Sequence, residues 1–107
     1  MINRAVLEAL GPNGFLVNVG RGTVVHTDDL IAALRDGVIA GAGLDVFEDE
    51  PVIPAPLCAM TNVVLSPHVG GAAPEVQVLG VQLMRRNIEA FLAGQPLISP
   101  IPEIPAP

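Results

Sequence analysis

The chain reads as an α/β protein, one half of a layered fold built on a parallel sheet. Two observations carry that expectation. Short apolar runs alternate with helical stretches in the order helix, strand, helix, strand, loop, strand, helix, which is the order of such a layer fold. The runs are apolar on both faces, as strands buried in a parallel sheet are. Three strands are few for this architecture, and no Gly-x-Gly-x-x-Gly follows a first strand, so the layer reads as the second half of a larger one.

Residues 3–10 read as a short helix, with Asn3 as N-cap and Gly11-Pro-Asn-Gly14 ending it by turn chemistry. Residues 15–19 form the first strand. Thr27 is expected to cap a second helix, with Asp28 and Asp29 in its positive first turn. Leu30, Ile31 and Leu34 give that helix its apolar face, and Gly37 stands where a C-terminal glycine belongs. Residues 40–46 read as a second buried strand, whose small residues allow close helix packing. Glu48-Asp49-Glu50 and prolines 51, 54 and 56 then impose a loop. Residues 62–65 are a third strand, stopped by Pro67. Pro74, at a first helical position, opens the longest helix, over about 74–93. Its apolar face comprises Val76, Leu79, Leu83, Ile88, Phe91 and Leu92, while Arg85 and Arg86 read as solvated. From Gln95 onward the chain is a proline-rich extended strap, in which Pro102-Glu-Ile-Pro105 matches the minimal spacing of a proline-rich ligand. The expected organisation is therefore a folded part over residues 1–94 and a tail over 95–107.

Composition narrows the function classes. A chain of 107 residues has room for one domain, burying roughly two-thirds of its unfolded surface. Half the residues are hydrophobic, which argues against disorder. With three Phe and no Trp or Tyr, the core must be aliphatic. A net charge of −6, with five Arg and no Lys, offers no basic patch, so no nucleic-acid partner is expected. The single Cys58 excludes a disulfide framework and a multi-cysteine metal site, and no metal is expected. No 18-residue apolar run or signal-peptide layout is present, so a cytoplasmic protein with no membrane partner is the expectation.

Three ionisable residues fall on loops after the strands: Arg21 after the first, Glu50 after the second, His68 after the third. Parallel strands bring their carboxyl ends to one edge, so these three converge in space. Arg21 lies between Gly20 and Gly22 and reads from its own stretch either as a turn residue or as an anion clamp. Arginine offers a permanent, planar fork of donors for a carboxylate. Histidine exchanges a proton near neutral pH, and a carboxylate on its second nitrogen fixes the tautomer and favours the imidazolium. Together they fit reduction of a 2-keto acid, with arginine binding substrate and imidazolium protonating the oxygen. Glu48 and Asp49 compete with Glu50 for the carboxylate role. His26 reads as a helix-start residue, and Met60, Met84 and Cys58 as packing residues.

Asn18-Val-Gly-Arg-Gly-Thr-Val-Val25, Gly41-Ala-Gly-Leu-Asp-Val-Phe-Glu-Asp-Glu-Pro51 and Asn62-Val-Val-Leu-Ser-Pro-His-Val-Gly-Gly71, in this order, resemble the D-isomer-specific 2-hydroxyacid dehydrogenases, and among them the glyoxylate/hydroxypyruvate reductases. The resemblance covers residues 2 to 100. It implies the C-terminal half of a Rossmann-like doubly wound parallel sheet, followed by a long helix and a Pro-rich tail. By the same resemblance Arg21 orients the substrate, His68 is the general acid/base and Glu50, directly before Pro51, is its partner. Asp45 would meet the nicotinamide end of NAD(P), and Val19, Gly20, Arg21, His68, Gly70 and Gly71 would line the same cofactor, with NADP favoured by the subfamily. His26 departs from the family, which usually has an acidic residue there. The resemblance further implies a longer parent, a homodimer acting on a small 2-keto or 2-hydroxy acid. A non-catalytic dinucleotide-sensing or protein-interaction module on the same fold is the alternative.

Overall fold

The computed structural model describes residues 1–102 and divides into two compact units, Met1–Gly70 and the residues from Gly71 onward. The Pro102-Glu-Ile-Pro105 spacing runs outside the described residues.

The first unit is built on three parallel strands, β1 (Phe15–Asn18), β2 (Gly41–Leu44) and β3 (Val63–Leu65), ordered β1-β2-β3. The register pairs Asn18 with Leu44 and Leu44 with Leu65, which aligns the carboxyl ends at one edge. Helix α1 (Arg4–Leu10) precedes β1, α2 (Thr27–Arg35) joins β1 to β2, and α3 (Ala55–Ala59) joins β2 to β3. Leu7, Leu30, Leu34, Ile39 and Leu57 meet Ala42 and Leu44 in one cluster, with Leu16, Val63 and Leu65 packed against it. The core is aliphatic as its composition requires, with Phe47 as its one aromatic member.

All of this core lies against one face of the sheet. Side chains alternate along a strand, and the alternate set, Phe15, Val17 and Val64, is 69%, 68% and 74% exposed. The expectation of strands buried on both faces is thus corrected: Leu16 and Asn18 point into the core, and Phe15 and Val17 do not. Apolarity of the run carries no information about which of its faces is covered.

Two further expectations change. Residue 26, not Thr27, occupies the N-cap of α2: His26 is extended and its carbonyl accepts the first helical bond, from Leu30 at 3.1 Å. Thr27 is already the first helical residue, and its hydroxyl donates to Glu48 Oε2 at 2.6 Å, a charge-assisted hydrogen bond. Prolines 54 and 56, expected to impose loop, open α3: proline suits the first turn of a helix, where its missing N–H is not needed. Elsewhere the punctuation is as expected. Asn3 Oδ1 accepts from the Val6 amide at 3.3 Å, and Gly37, at φ 69°, turns the chain out of α2 with Val38 N–H bonded to Ala33 O at 2.8 Å.

The second unit is dominated by α4 (Pro74–Leu92), with Pro74 at its start. Gly94, at φ 64°, ends it through two reversed bonds, Gly94 N–H to Phe91 O at 3.1 Å and Gln95 N–H to Ala90 O at 2.9 Å. The strap then doubles back along its own helix: Asn87 Oδ1 accepts the amides of Ile98 and Ser99 at 2.9 and 3.2 Å. Arg85 pairs with Glu89 at 2.6 Å on an exposed face. Among the described residues no helix is long and apolar enough to cross a membrane.

Candidate active site

At the end of β1 the chain turns sharply, and Asn18 makes the turn. Its side chain is buried, at 8% exposure; Nδ2 donates to Arg21 O at 3.0 Å, and Oδ1 accepts from Gly20 N–H at 3.1 Å. An amide side chain that satisfies both a donor and an acceptor of the following backbone is an efficient stand-in for a backbone turn. Arg21 is thereby placed just past the strand, exposed, with one guanidinium nitrogen on Gly20 O at 2.8 Å. A short 3-10 turn follows at Gly22–Val24. Gly22 is buried, and a Cβ there would overlap the Phe47 carbonyl and the Glu48 amide. At Gly22 the space a side chain would take is filled by the loop after β2, which packs the two loops backbone to backbone.

That second loop carries the acidic run, and its three carboxylates part company. Glu48 turns to Thr27. Glu50 Oε1 accepts from the Phe47 amide at 2.9 Å, and Oε2 lies 2.7 Å from His68 Nδ1. Asp49 is exposed. The hydrogen bond from His68 and that from Phe47 N–H, with a weaker contribution from the Arg21 charge, hold the Glu50 carboxyl below its ordinary pKa. A carboxylate acceptor on Nδ1 leaves Nε2 as the outward nitrogen of a half-exposed imidazole.

His68 stands at φ 54°, the one non-glycine residue with positive φ among those described. Asp45, at the end of β2, holds residues on either side of it, a side chain before and two backbone amides after. Its amide donates to Asn18 O at 3.0 Å, and its carboxylate, 5% exposed, accepts from Ser66 Oγ (2.6 Å), Val69 N–H (2.9 Å) and Gly70 N–H (2.8 Å). These bonds, that from Ser66 first, lower the Asp45 pKa.

The structure thus places Glu50 on His68, Arg21 on the neighbouring loop where its charge reaches Glu50, and Asp45 beneath the His68 loop. Val19 is 68% exposed beside Gly20 at the same edge. Gly70 closes the first unit and Gly71 opens the second. His26 lies apart, 3.4 Å from Asp29 at the start of α2. Asn18 and Ser66 were not singled out from sequence. A polar residue ending an apolar strand was the available signal for each.

Residues 1–70 match the family of the D-isomer specific 2-hydroxyacid dehydrogenase, NAD binding domain, and the chain belongs to it. Among individual proteins, it is 48% identical over 101 residues to a hydroxyphenylpyruvate reductase of Plectranthus scutellarioides, covering 94% of this chain and 32% of that one. It is 46% identical over 101 residues to a glyoxylate/hydroxypyruvate reductase of Arabidopsis thaliana, covering 94% and 31%. The solved structure of an NADPH-dependent glyoxylate/hydroxypyruvate reductase from Sinorhizobium meliloti, in complex with NADP and malonate, superposes with a TM-score of 0.80 at 44% identity, covering 94% of this chain and 31% of that one. The chain spans about a third of the length of the relatives it matches.

Proposed function

We propose that this chain is the catalytic third of an NAD(P)-dependent reductase that converts a small 2-keto acid, such as glyoxylate or hydroxypyruvate, to the D-2-hydroxy acid. The observation that carries the reading is the 2.7 Å contact between Glu50 and His68 Nδ1, on the sheet edge shared with Arg21. The names of the relatives supply the substrate class, and their NADP and NADPH the preference for NADP.

The residues present fit the nicotinamide end of such a cofactor. Exposed Val19 offers an apolar surface, and a Cβ on Gly20 would have only Asn18 Oδ1 near it, at 3.7 Å, so the backbone there is open to close approach. Asp45, Arg21, His68, Gly70 and Gly71 complete the proposed set. When bound, NAD(P)H supplies the hydride. Arg21 binds the substrate carboxylate through its forked donors. His68 holds a proton on Nε2 and delivers it to the carbonyl oxygen, while Glu50 keeps Nδ1 protonated and stabilises the imidazolium. Residues 1–94 are proposed as the cofactor-domain part and 95–107 as its tail, in a cytoplasmic homodimer.

The test is reduction of glyoxylate and hydroxypyruvate by the intact protein, with NADPH and NADH compared by loss of absorbance. Turnover is expected, and loss of about 100-fold or more in Arg21→Ala and in His68→Asn, the scale of a lost general acid or substrate clamp. Near-normal rates in either variant would remove that residue's role. The isolated 107-residue chain is expected to show no turnover. Partner-protein binding by an intact protein without reductase activity would favour the non-catalytic alternative.

A further inference from the structure

Asp45 makes three side-chain hydrogen bonds, and their donors bracket one residue. Ser66 lies two positions before His68; Val69 and Gly70 follow it directly. The bracketed residue is the one whose backbone is left-handed, at φ 54°. A non-glycine residue keeps such a conformation only where its surroundings over-determine it. The first end of the bracket and the acceptor itself are tied to the sheet: the Ser66 amide donates to Leu44 O at 2.9 Å and the Asp45 amide to Asn18 O at 3.0 Å.

Within this arrangement the serine hydroxyl has a particular place. It donates to Oδ1, the same oxygen that takes the Val69 amide, while Oδ2 takes the Gly70 amide. A carboxylate turns freely about its last bond unless something fixes its plane. Two amides from one loop cannot do so, since carboxylate and loop could swing together. A donor from residue 66, whose backbone is bonded to β2, references the plane to the sheet.

We propose that Ser66 is a positioning residue for His68: acting through Asp45, it fixes the backbone after the imidazole and so holds the ring on Glu50. Its catalytic part rests on the proton-donor role given to His68 above; its structural part does not. Ser66 touches no reacting atom, and its removal leaves the Arg21 turn intact.

The structural part is read on the 107-residue chain by amide hydrogen exchange under NMR. Ser66→Ala is expected to speed exchange at Val69 and Gly70 by about tenfold or more, with Leu34 in α2 unchanged, and Ser66→Thr to restore protection. Unchanged exchange at Val69 and Gly70, or equal acceleration throughout Met1–Gly70, overturns the proposal. Should Ser66→Ala not fold, Ser66→Cys, similar in volume and a weaker donor, is expected to give intermediate exchange at those two amides, and wild-type exchange there overturns it. In the intact protein kcat for keto-acid reduction is expected to fall at least tenfold in Ser66→Ala with KM for the keto acid unchanged, and Ser66→Thr to recover it. A rise in KM alone, or an unchanged kcat beside the altered exchange, overturns the coupling to His68. Absence of reductase activity in the unsubstituted protein would sink the function proposed above and leave the exchange result to decide the clamp.

Discussion

At the scale of single residues, the site depends on two side chains that do no chemistry themselves. Asn18 and Asp45 are the buried polar residues of the described chain, neighbours across β1 and β2, and each organises one loop. Asn18→Ala removes both supports of the Arg21 turn and leaves the Arg21 carbonyl and Gly20 amide without their partner. The expected cost is about 1–3 kcal/mol, the range for stranding a part-buried polar group, and KM for the keto acid should rise while the chemical step is affected less. Denaturant unfolding and steady-state kinetics on the same variant check both. Gly22→Ala is the complementary case, since its Cβ would overlap the Phe47 carbonyl and the Glu48 amide. About 1–3 kcal/mol of destabilisation is expected from such overpacking, visible as a lower midpoint in thermal melting. The convergence of Arg21 and His68 with a carboxylate could be expected from sequence because their loops follow parallel strands, but that Glu50 and not Glu48 or Asp49 meets His68 was implied by the family resemblance alone. The contacts of Asn18 and Ser66 could not, since hydrogen bonds to the Gly20–Arg21 backbone and to the Asp45 carboxylate leave no periodicity to read.

Elements were legible wherever local chemistry decides them. Asn3, Gly37 and Pro74 punctuate helices in the expected places because caps and reversed turns depend on a few neighbouring atoms. Asn3→Ala is expected to lower stability by about 1 kcal/mol, the usual worth of such a cap. Leu34→Ala, at a site 3% exposed between α2 and the sheet, should cost about 2–5 kcal/mol as a cavity in the core. Comparing the two by urea denaturation tests whether α2 packing outweighs α1 capping. Less legible were the features decided at a distance. Nothing near Thr27 in sequence announces that Glu48, 21 residues on, will take its hydroxyl. Nor does the Pro-rich stretch show whether Leu57 will find a core to enter and so make α3 a helix.

In the first unit, three carboxylates accept hydrogen bonds from side chains distant in sequence and so link fold to acidity. Asp45, Glu48 and Glu50 all have lowered pKa values because each accepts hydrogen bonds in its charged form, from Ser66, Thr27 and His68 first. A folded-state pKa below the unfolded one gives stability that is complete above the unfolded value. It is lost as pH falls from about 4, the ordinary carboxylate value, through the lowered ones. Unfolding midpoints measured from pH 7 downward should therefore hold level to about pH 5 and then drop. Asp45→Asn should lower the plateau and flatten the drop, and an unchanged acid limb would show that Asp45 contributes nothing to it. Sequence alone suggested a half-sheet; which face is bare could not be read, because Phe15 and Leu16 are equally apolar and only the position of the helices separates them.

The left-handed backbone of His68 restricts the choice of amino acid there twice over. The proton transfer proposed for it asks for an imidazole, and a φ of 54° asks for glycine, asparagine, aspartate or histidine. An alanine at that position would alter the chemistry and the chain path in one stroke, so a dead His68→Ala enzyme could not say which had been lost. Asparagine keeps the path and removes the proton donor. Histidine is thus the side chain on which both demands agree, and the substitutions that a mutational scan tolerates for folding at residue 68 should be few and none of them active.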